Sequence, residues 1–393
     1  MSHSQVYFDN ASTTAVDRRV VAAMLPYFTT TFGNAASRAH SFGWAAADAV
    51  DNARQQIAAL IGADSREIVF TSGATESNNL ALKGVVAANS SRGNHLVISA
   101  TEHQSVTDTA RALETAGVSV TTVGVDSQGR LDLDQLVASI TDATVLVSVM
   151  VANNEVGTVN DLAAIGTICR DRHVLLHTDA TQAAGKIPLS VADVDLMSLS
   201  AHKIYGPKGV GALYVKREPR VSLTAQMDGG GHERGMRSGT LNVPAIVGFG
   251  VAAQIAADEL KADAIRVNLL RDQLIEGIRA IAPDSFVNGH AHHRLPGIAS
   301  VTFPGQDAGR MVGALNDHGI AVSTGSACSS STLEPSRTLL ALGLSEADAK
   351  STLRFSLGRF NTAAEVELVL NVIGELTASR QCAAGRADGE ALW

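Results

Sequence analysis

The stretch Asp195-Leu-Met-Ser-Leu-Ser-Ala-His-Lys203, continued by Ile204-Tyr-Gly-Pro-Lys-Gly-Val-Gly-Ala-Leu-Tyr-Val215, decides the reading of this chain. It starts as an apolar run of strand length, breaks at a polar Ser200-Ala-His-Lys203 corner, and re-enters an apolar run at Gly211. Apolar runs bounded by turn residues are the pattern of buried strands. A lysine just past such a strand lies at its carboxyl end, where open α/β sheets place their ligands. Desolvation there lowers an amine's pKa and makes it a nucleophile towards an aldehyde. Taken alone, a loop lysine is more often simply solvated.

A second strand end raises the stakes. His173-Val-Leu-Leu-His-Thr-Asp179 is another apolar run, closing on an acid. An acid and an amine at the ends of two strands could meet across one cofactor ring. A pyridine-type cofactor needs such an acid to keep its ring nitrogen protonated.

Outward from these two runs, strands and helices alternate. Strands are expected at Glu67–Phe70, His95–Ser99, Val118–Val125 and Thr144–Val151, with one helix opened by the Thr71–Thr75 turn and running through about Ala88, and others over Gln104–Ala116, Leu133–Ile140 and Leu162–Arg172. That alternation implies a mostly parallel sheet covered on both faces. Upstream are a short strand at Val6–Phe8, a polar turn at Asp9–Thr14, a helix capped by Asp17, and an Ala-rich helix from Ser41 closed by Gly62. Trp44 in that helix is expected in the core. Gln226–Asn242 is rich in glycine, but its histidine and two arginines suit an ordered site loop better than a linker. A long helix from Pro244 to about Ala280 leads to further strands at Ala299–Phe303, Ile320–Val322 and Leu353–Ser356. The end of the chain, from Ser379, reads as frayed.

Composition sets bounds. The chain has 393 residues, 45% hydrophobic and 18% charged, enough for a large core. A net charge of −8 argues against general nucleic-acid or anionic-membrane binding. No apolar run of membrane-spanning length and no secretory signal is visible. Three cysteines at no metal-ligand spacing fit a reducing cytoplasm.

Ser200-Ala-His-Lys-Ile-Tyr-Gly-Pro-Lys-Gly209, His177-Thr-Asp-Ala-Thr-Gln182 and Gly325-Ser-Ala-Cys-Ser-Ser-Ser-Thr-Leu-Glu-Pro-Ser336 together resemble the cysteine desulfurases of the class V aminotransferase group. The likeness runs from about Tyr7 to about Phe360. It implies a PLP-dependent transferase fold of type I: a large domain with a mostly parallel seven-stranded sheet and a smaller α+β C-terminal domain. The implied division is 1–15 as an arm of the small domain, 16–255 as the large domain, and 256–393 as the small domain carrying the cysteine loop.

The resemblance also implies roles. Lys203 would hold pyridoxal 5'-phosphate, with Asp179 on its ring nitrogen and His103 stacked on its face, able to carry protons. Ala74, Thr75, Ser200 and His202 would hold the phosphate, joined by Thr240 from the neighbouring subunit of a homodimer. Asn154 and Gln182 would bond the ring oxygen. Arg354 would pair with the substrate carboxylate, or else form an ordinary ion pair, and Asn34 would offer a substrate-side amide. Cys328, on a Gly/Ser-rich loop, would take sulfur from L-cysteine as a persulfide, leaving L-alanine.

The long loop resembles the group that serves iron–sulfur scaffolds and tRNA thiolation, and Cys328 could also be a transient iron–sulfur ligand. Cys169 reads as a core residue and Cys382 as a tail residue without a motif. Two departures stand out: Ala35 replaces the family's usual proline after Asn34, and the Gly389-Glu-Ala-Leu-Trp393 tail differs from the one associated with scaffold docking. Rival readings are another class V aminotransferase, a selenocysteine lyase, or a non-catalytic PLP-binding partner. No direct membrane contact or stable nucleic-acid binding is expected.

Overall fold

The computed structural model describes residues 5–324 and 334–387, with side chains to residue 378. In chain order the elements are β1 (Val6–Tyr7), α1 (Arg18–Met24), α2 (Pro26–Thr29), α3 (Ser41–Ile61), β2 (Ile68–Thr71), α4 (Ala74–Ala88), β3 (His95–Ser99), α5 (Gln104–Thr115), β4 (Ser119–Val123), α6 (Leu133–Ser139), β5 (Thr144–Ser148), α7 (Leu162–Asp171), β6 (Leu175–Asp179), β7 (Leu196–Ser200) and β8 (Gly211–Val215). There follow α8 (Val243–Ile281), β9 (Phe286–Asn288), β10 (Ile298–Thr302), α9 (Ala308–Asp317), β11 (Ile320–Ala321), β12 (Ser323–Thr324), α10 (Arg337–Ala341), α11 (Glu346–Lys350), β13 (Thr352–Ser356) and α12 (Ala363–Ala387).

Seven strands form the main sheet in the order β2-β8-β7-β6-β5-β3-β4. β8 alone is antiparallel to its neighbours, so the carboxyl ends of β2, β7, β6, β5 and β3 all lie along one edge. β2, β3, β5, β7 and β8 are buried along their whole length, as sheets covered on both faces require. A second sheet, β12-β13-β10-β9, is antiparallel, and β1 pairs with β11 beside it. Asp9 bridges to Ser356 at the end of β13, which lays the start of the chain against its C-terminal third.

α8 spans two cores. Val243 to Ala256 packs with α3 and the main sheet, whereas Val267 to Ile278 packs with Phe8, Val301, Phe355 and α12. Contrary to the sequence expectation, α8 is, among the described residues, long and apolar enough to cross a membrane by length and composition. Its apolar positions are taken up by these cores, as in a central core helix.

Trp44 corrects the reading made from spacing: it is 56% exposed, with Nε1 donating to the Arg38 carbonyl at 2.8 Å. α3 turns Ala46, Val50, Ala53, Ile57 and Ile61 inward. Trp44 lies two residues from Ala46, roughly 200° round the helix, on the outer side. β9 escaped the sequence reading because it is only three residues long. α12 continues to Ala387, well past the expected frayed start at Ser379.

Candidate active site

The carboxyl edge of the main sheet opens into a cavity of ≈ 580 Å³. The turn at 72–76, His103, Asn154, Asp179, Gln182 and the Ser200–Lys203 corner line one side. Ala11, Ser12, Thr13 and Arg354 line the other. The sheet explains the gathering: Thr71, Ser200 and Asp179 end β2, β7 and β6, which run in one direction, with Asp179 opposite Ser198, and with Ser200 and Thr71 both opposite Gly211 in register.

α4 begins in the cavity wall. Its first intrahelical bond runs from the Ser77 N–H to the Gly73 carbonyl, so the N–H groups of Ala74 and Thr75 lie ahead of the helix's own ladder. Gly73 adopts φ 154°, and a Cβ on the facing Gly211 would lie 2.6 Å from the Gly73 Cα, so the close crossing there excludes a side chain. Arg237, from the glycine-rich stretch, braces this turn through Glu76, with Nε 2.7 Å from Oε1. A buried Arg54–Glu233 pair at 2.7 Å fixes the same stretch, which is an ordered wall and not a linker.

Asp179 is 5% exposed, and each carboxylate oxygen accepts one bond: Oδ1 from the Thr181 N–H at 2.9 Å and Oδ2 from Asn78 Nδ2 at 2.8 Å. His103 caps α5, its Nδ1 accepting from the Ser105 N–H at 3.1 Å. Gln182 donates through Nε2 to the Ala11 carbonyl at 2.8 Å and accepts at Oε1 from Lys186 Nζ at 3.1 Å. Burial, with the charges of Lys203 and Arg354 adding to it, pulls the Lys186 amine down to about 7. Burial and the charges of Lys203, Lys208 and Lys186 bring His202 down to about 4, so it is neutral near pH 7. Its Nδ1 lies 3.0 Å from Thr13 Oγ1.

Lys203 Nζ donates to the Ala11 and Ser12 carbonyls at 2.6 and 2.5 Å. Arg354, 2% exposed on β13, pairs with Asp9 Oδ1 at 2.8 Å, and also donates to Ser12 Oγ at 2.8 Å and the Asn154 carbonyl at 3.0 Å. Its Nε has no partner among the described residues. The ion pair anticipated as an alternative for Arg354 is therefore present, and it sits inside the cavity wall.

Lys203, His103, Ala74, Thr75, Asn154, Asp179, Gln182, Ser200, His202 and Arg354 thus share one cavity. Thr240 and Asn34 do not line it on this chain; both are exposed, and Asn34 Oδ1 is engaged locally by the Ala36 N–H. Cys328 lies outside the described residues. Cys169 is buried, and its thiol is pushed up to about 12, first by burial and then by Asp195, which makes it inert at neutral pH.

Four contributors were not foreseen: the Asp9–Thr14 turn, Asn78, Lys186 and Glu155. Glu155, next to Asn154 in sequence and half-buried, accepts from Ser336 and from Thr338, the latter at 3.0 Å, at the root of the cysteine loop; desolvation raises its carboxyl. Only the turn carried a sequence signal, five small polar residues and one alanine directly after a strand.

The donor set suits pyridoxal phosphate. A helix start with N–H groups ahead of its ladder can take a phosphate, a carboxylate can face a ring nitrogen, an imidazole can stack, and an amine stands within the same cavity. The half-satisfied guanidinium of Arg354 suits a substrate carboxylate.

Comparison with known proteins bears on the same point. The aminotransferase class-V family matches residues 6–369. The cysteine desulfurase IscS of Anaeromyxobacter sp. (strain Fw109-5) is 54% identical over 372 residues, 94% of this chain and 92% of that one. The cysteine desulfurase IscS of Neisseria meningitidis serogroup A is 52% identical over 377 residues, 94% and 93% of the two chains. Among solved structures, a NifS-like protein superposes with a TM-score of 0.90 at 37% identity, covering 95% of this chain and all 100% of its own. SspA in complex with cysteine superposes with a TM-score of 0.81 at 35% identity, covering 91% and 100%. The chain belongs to the class-V aminotransferase family and is a pyridoxal-phosphate-dependent cysteine desulfurase.

Proposed function

We propose that Lys203 carries the cofactor, Arg354 seats the carboxylate of L-cysteine, and Cys328 receives the sulfur. The supporting observation is that an amine, a carboxylate and a guanidinium from three separate elements line one cavity. Pyridoxal phosphate, when bound, supplies the electron sink for bonds breaking at the amino acid's carbons. Asp179, as a carboxylate, would keep a proton on the ring nitrogen. Ala74, Thr75, Ser200 and His202 would hold the phosphate, Thr240 of a second copy would join them, and Asn154 and Gln182 would serve the ring oxygen. Asn34 serves the substrate side.

Lys203 moves the proton at the substrate's α-carbon. The Cys328 thiolate attacks the substrate sulfur; the S–S bond forms as the carbon–sulfur bond breaks, the electron pair returns to carbon, and a proton completes the methyl group of alanine. The persulfide left on Cys328 then passes to an acceptor.

The working form is a cytoplasmic homodimer. Exposed Leu25, Phe28, Phe32, Phe42 and Trp44 supply apolar surface for a partner, with the Phe32 and Phe42 rings 5.6 Å apart. The acceptors are proteins of iron–sulfur cluster assembly and, as a further outlet, of tRNA thiolation. Cys328 serves as a transient ligand of the cluster under assembly. Mass spectrometry of the protein after L-cysteine should find one added sulfur on the peptide bearing Cys328, and Cys328→Ala should lose both this adduct and alanine formation. Undiminished alanine formation by Cys328→Ala would defeat the sulfur-transfer assignment.

A further inference from the structure

A chain of hydrogen bonds of fixed polarity starts at Asp179 and ends at His103. An ionised carboxylate only accepts, so the Asn78 group 2.8 Å from Asp179 Oδ2 is the amide Nδ2, and the amide cannot be reversed. The second hydrogen of Nδ2 goes to Ser105 Oγ at 2.8 Å. With its oxygen accepting from Asn78, the Ser105 hydroxyl turns its own hydrogen to His103 Nδ1, also 2.8 Å away. The Ser105 backbone N–H, which can only donate, points at the same nitrogen from 3.1 Å. His103 Nδ1 therefore accepts from two donors and carries no proton. The proton of the neutral ring sits on Nε2.

We propose that Asn78, acting through Ser105, fixes His103 as the neutral Nε2–H tautomer, so that His103 enters the reaction as a hydrogen-bond donor through Nε2. This rests on the site reading above. Asn78 is the positioning residue: it is fully buried, spends both amide hydrogens on this chain, and leaves its own Oδ1 without a partner among the described residues.

A protonated ring would point an Nδ1–H at the Ser105 N–H, two donors with nothing between them. The charged groups around the ring divide. Asp179, beyond Asn78, and Glu155, whose charge interacts with the ring, favour a cation. Lys203 and Arg354 on the same cavity oppose it. The short-range polarity of the two donors decides the outcome, since a mismatched buried donor pair outweighs partly screened charges.

The arrangement joins two sides of the cofactor site. The acid expected at the ring nitrogen and the imidazole expected on the ring face are linked through one amide and one hydroxyl. As long as Asp179 is ionised, His103 is held in a single tautomer. Asp179 thereby acts at a distance on a residue it does not touch.

The test is ring-nitrogen NMR on histidine-labelled protein, with and without bound cofactor. Comparison with His103→Gln assigns the signal among the 12 histidines. The expected result is Nε2–H with unprotonated Nδ1 and no titration between about pH 6 and 8, where an ordinary histidine titrates. Ser105→Ala and Asn78→Ala leave the Ser105 backbone N–H as the one donor fixed on Nδ1, and each should admit a minor Nδ1–H population that the wild type lacks. Ser105→Ala should lower kcat/KM by about tenfold, on the scale of one lost hydrogen bond, with no further loss when added to His103→Gln.

An imidazolium or an Nδ1–H ring in the wild type, or an unchanged spectrum in Ser105→Ala, would overturn the proposal. So would additive losses in the double variant. Should Lys203 or Arg354 instead prove dispensable for turnover, the site reading fails while the tautomer measurement still stands on its own.

Discussion

The two walls of the cavity are built on different principles. The wall made by the main sheet is finished: Asp179 has a donor on each oxygen, His103 is held by Ser105, and Gln182 is clamped between Lys186 and Ala11. The wall made by the N-terminal turn and β13 is provisional. Two cations, Lys203 reaching across from the sheet's corner and Arg354 from β13, rest on groups of the chain's own first residues, the Ala11 and Ser12 carbonyls and the Asp9 carboxylate. The finished wall needs no rearrangement to receive a ring. The provisional wall must exchange an internal partner for an external one, and the Asp9 carboxylate stands in for the carboxylate of an amino acid.

The comparison breaks most decisively at Lys203. Lys203→Ala removes the only group in the scheme that both holds the cofactor and moves the substrate proton, and turnover should fall by at least about a thousandfold. Purified protein should also lose its visible cofactor absorbance on dialysis. If a colourless Lys203→Ala protein still made alanine at the normal rate, the amine that spans the two walls would have no part in the chemistry.

Arg354→Gln comes next. A charge-assisted, bidentate contact to a carboxylate is worth about 1.5–3 kcal/mol, so KM for L-cysteine should rise by about ten- to a hundredfold with a smaller effect on kcat. Asp9→Asn tests the same wall with the opposite sign. If Asp9 competes with substrate for the guanidinium, KM should fall a few-fold. A rise in KM would mean instead that Asp9 aims Arg354 and that the wall is finished after all. Steady-state kinetics on the two variants separates these outcomes.

The sequence was most legible where the finished wall is concerned. Asp179 and Lys203 end apolar runs whose length and turn residues declare buried strands, and the parallel sheet then forces those ends onto one edge. The provisional wall was nearly silent. Arg354 lies 345 positions from Asp9, and no local pattern announces that a six-residue turn at one end of the chain will close on a strand at the other. Asn78, Lys186 and Glu155 were missed because each sits in an ordinary helical or turn context and gains meaning only from what packs against it. Trp44 went wrong for a related reason: its approximate spacing from the helix's apolar residues suggested burial, but Ala46, Val50, Ala53 and Ile57 already make up the inner face. Thr240 and Asn34 stay at the surface of this chain, as residues read by likeness to a shared site and not by local chemistry.

The smallest expected effect sharpens the comparison from behind the finished wall. Glu102, next to His103 in sequence, is 7% exposed; its Oε1 accepts from the Met150 N–H at 2.6 Å, and Oε2 has no partner among the described residues. Burial first, and the charge of Asp179 after it, raise this carboxyl well above its ordinary 4.5, against the pull of the Met150 N–H. Above that ordinary value the unfolded chain has lost the proton while the folded chain keeps it. The native state then binds more protons, and its stability must fall as pH rises through the interval between the two values. The slope per group is at most about 1.4 kcal/mol per pH unit. Glu102→Gln preserves the Met150 contact, cannot ionise, and should flatten the decline of melting temperature above pH 4.5 while leaving stability at or below pH 4.5 nearly unchanged. Glu155, raised in the same direction by burial, contributes to the same slope, so the single variant should remove part of it and Glu102→Gln/Glu155→Gln more. An unaltered pH dependence in the double variant would show that both carboxylates ionise in the folded protein, and that the framework behind Asp179 and His103 is wetter than its packing implies.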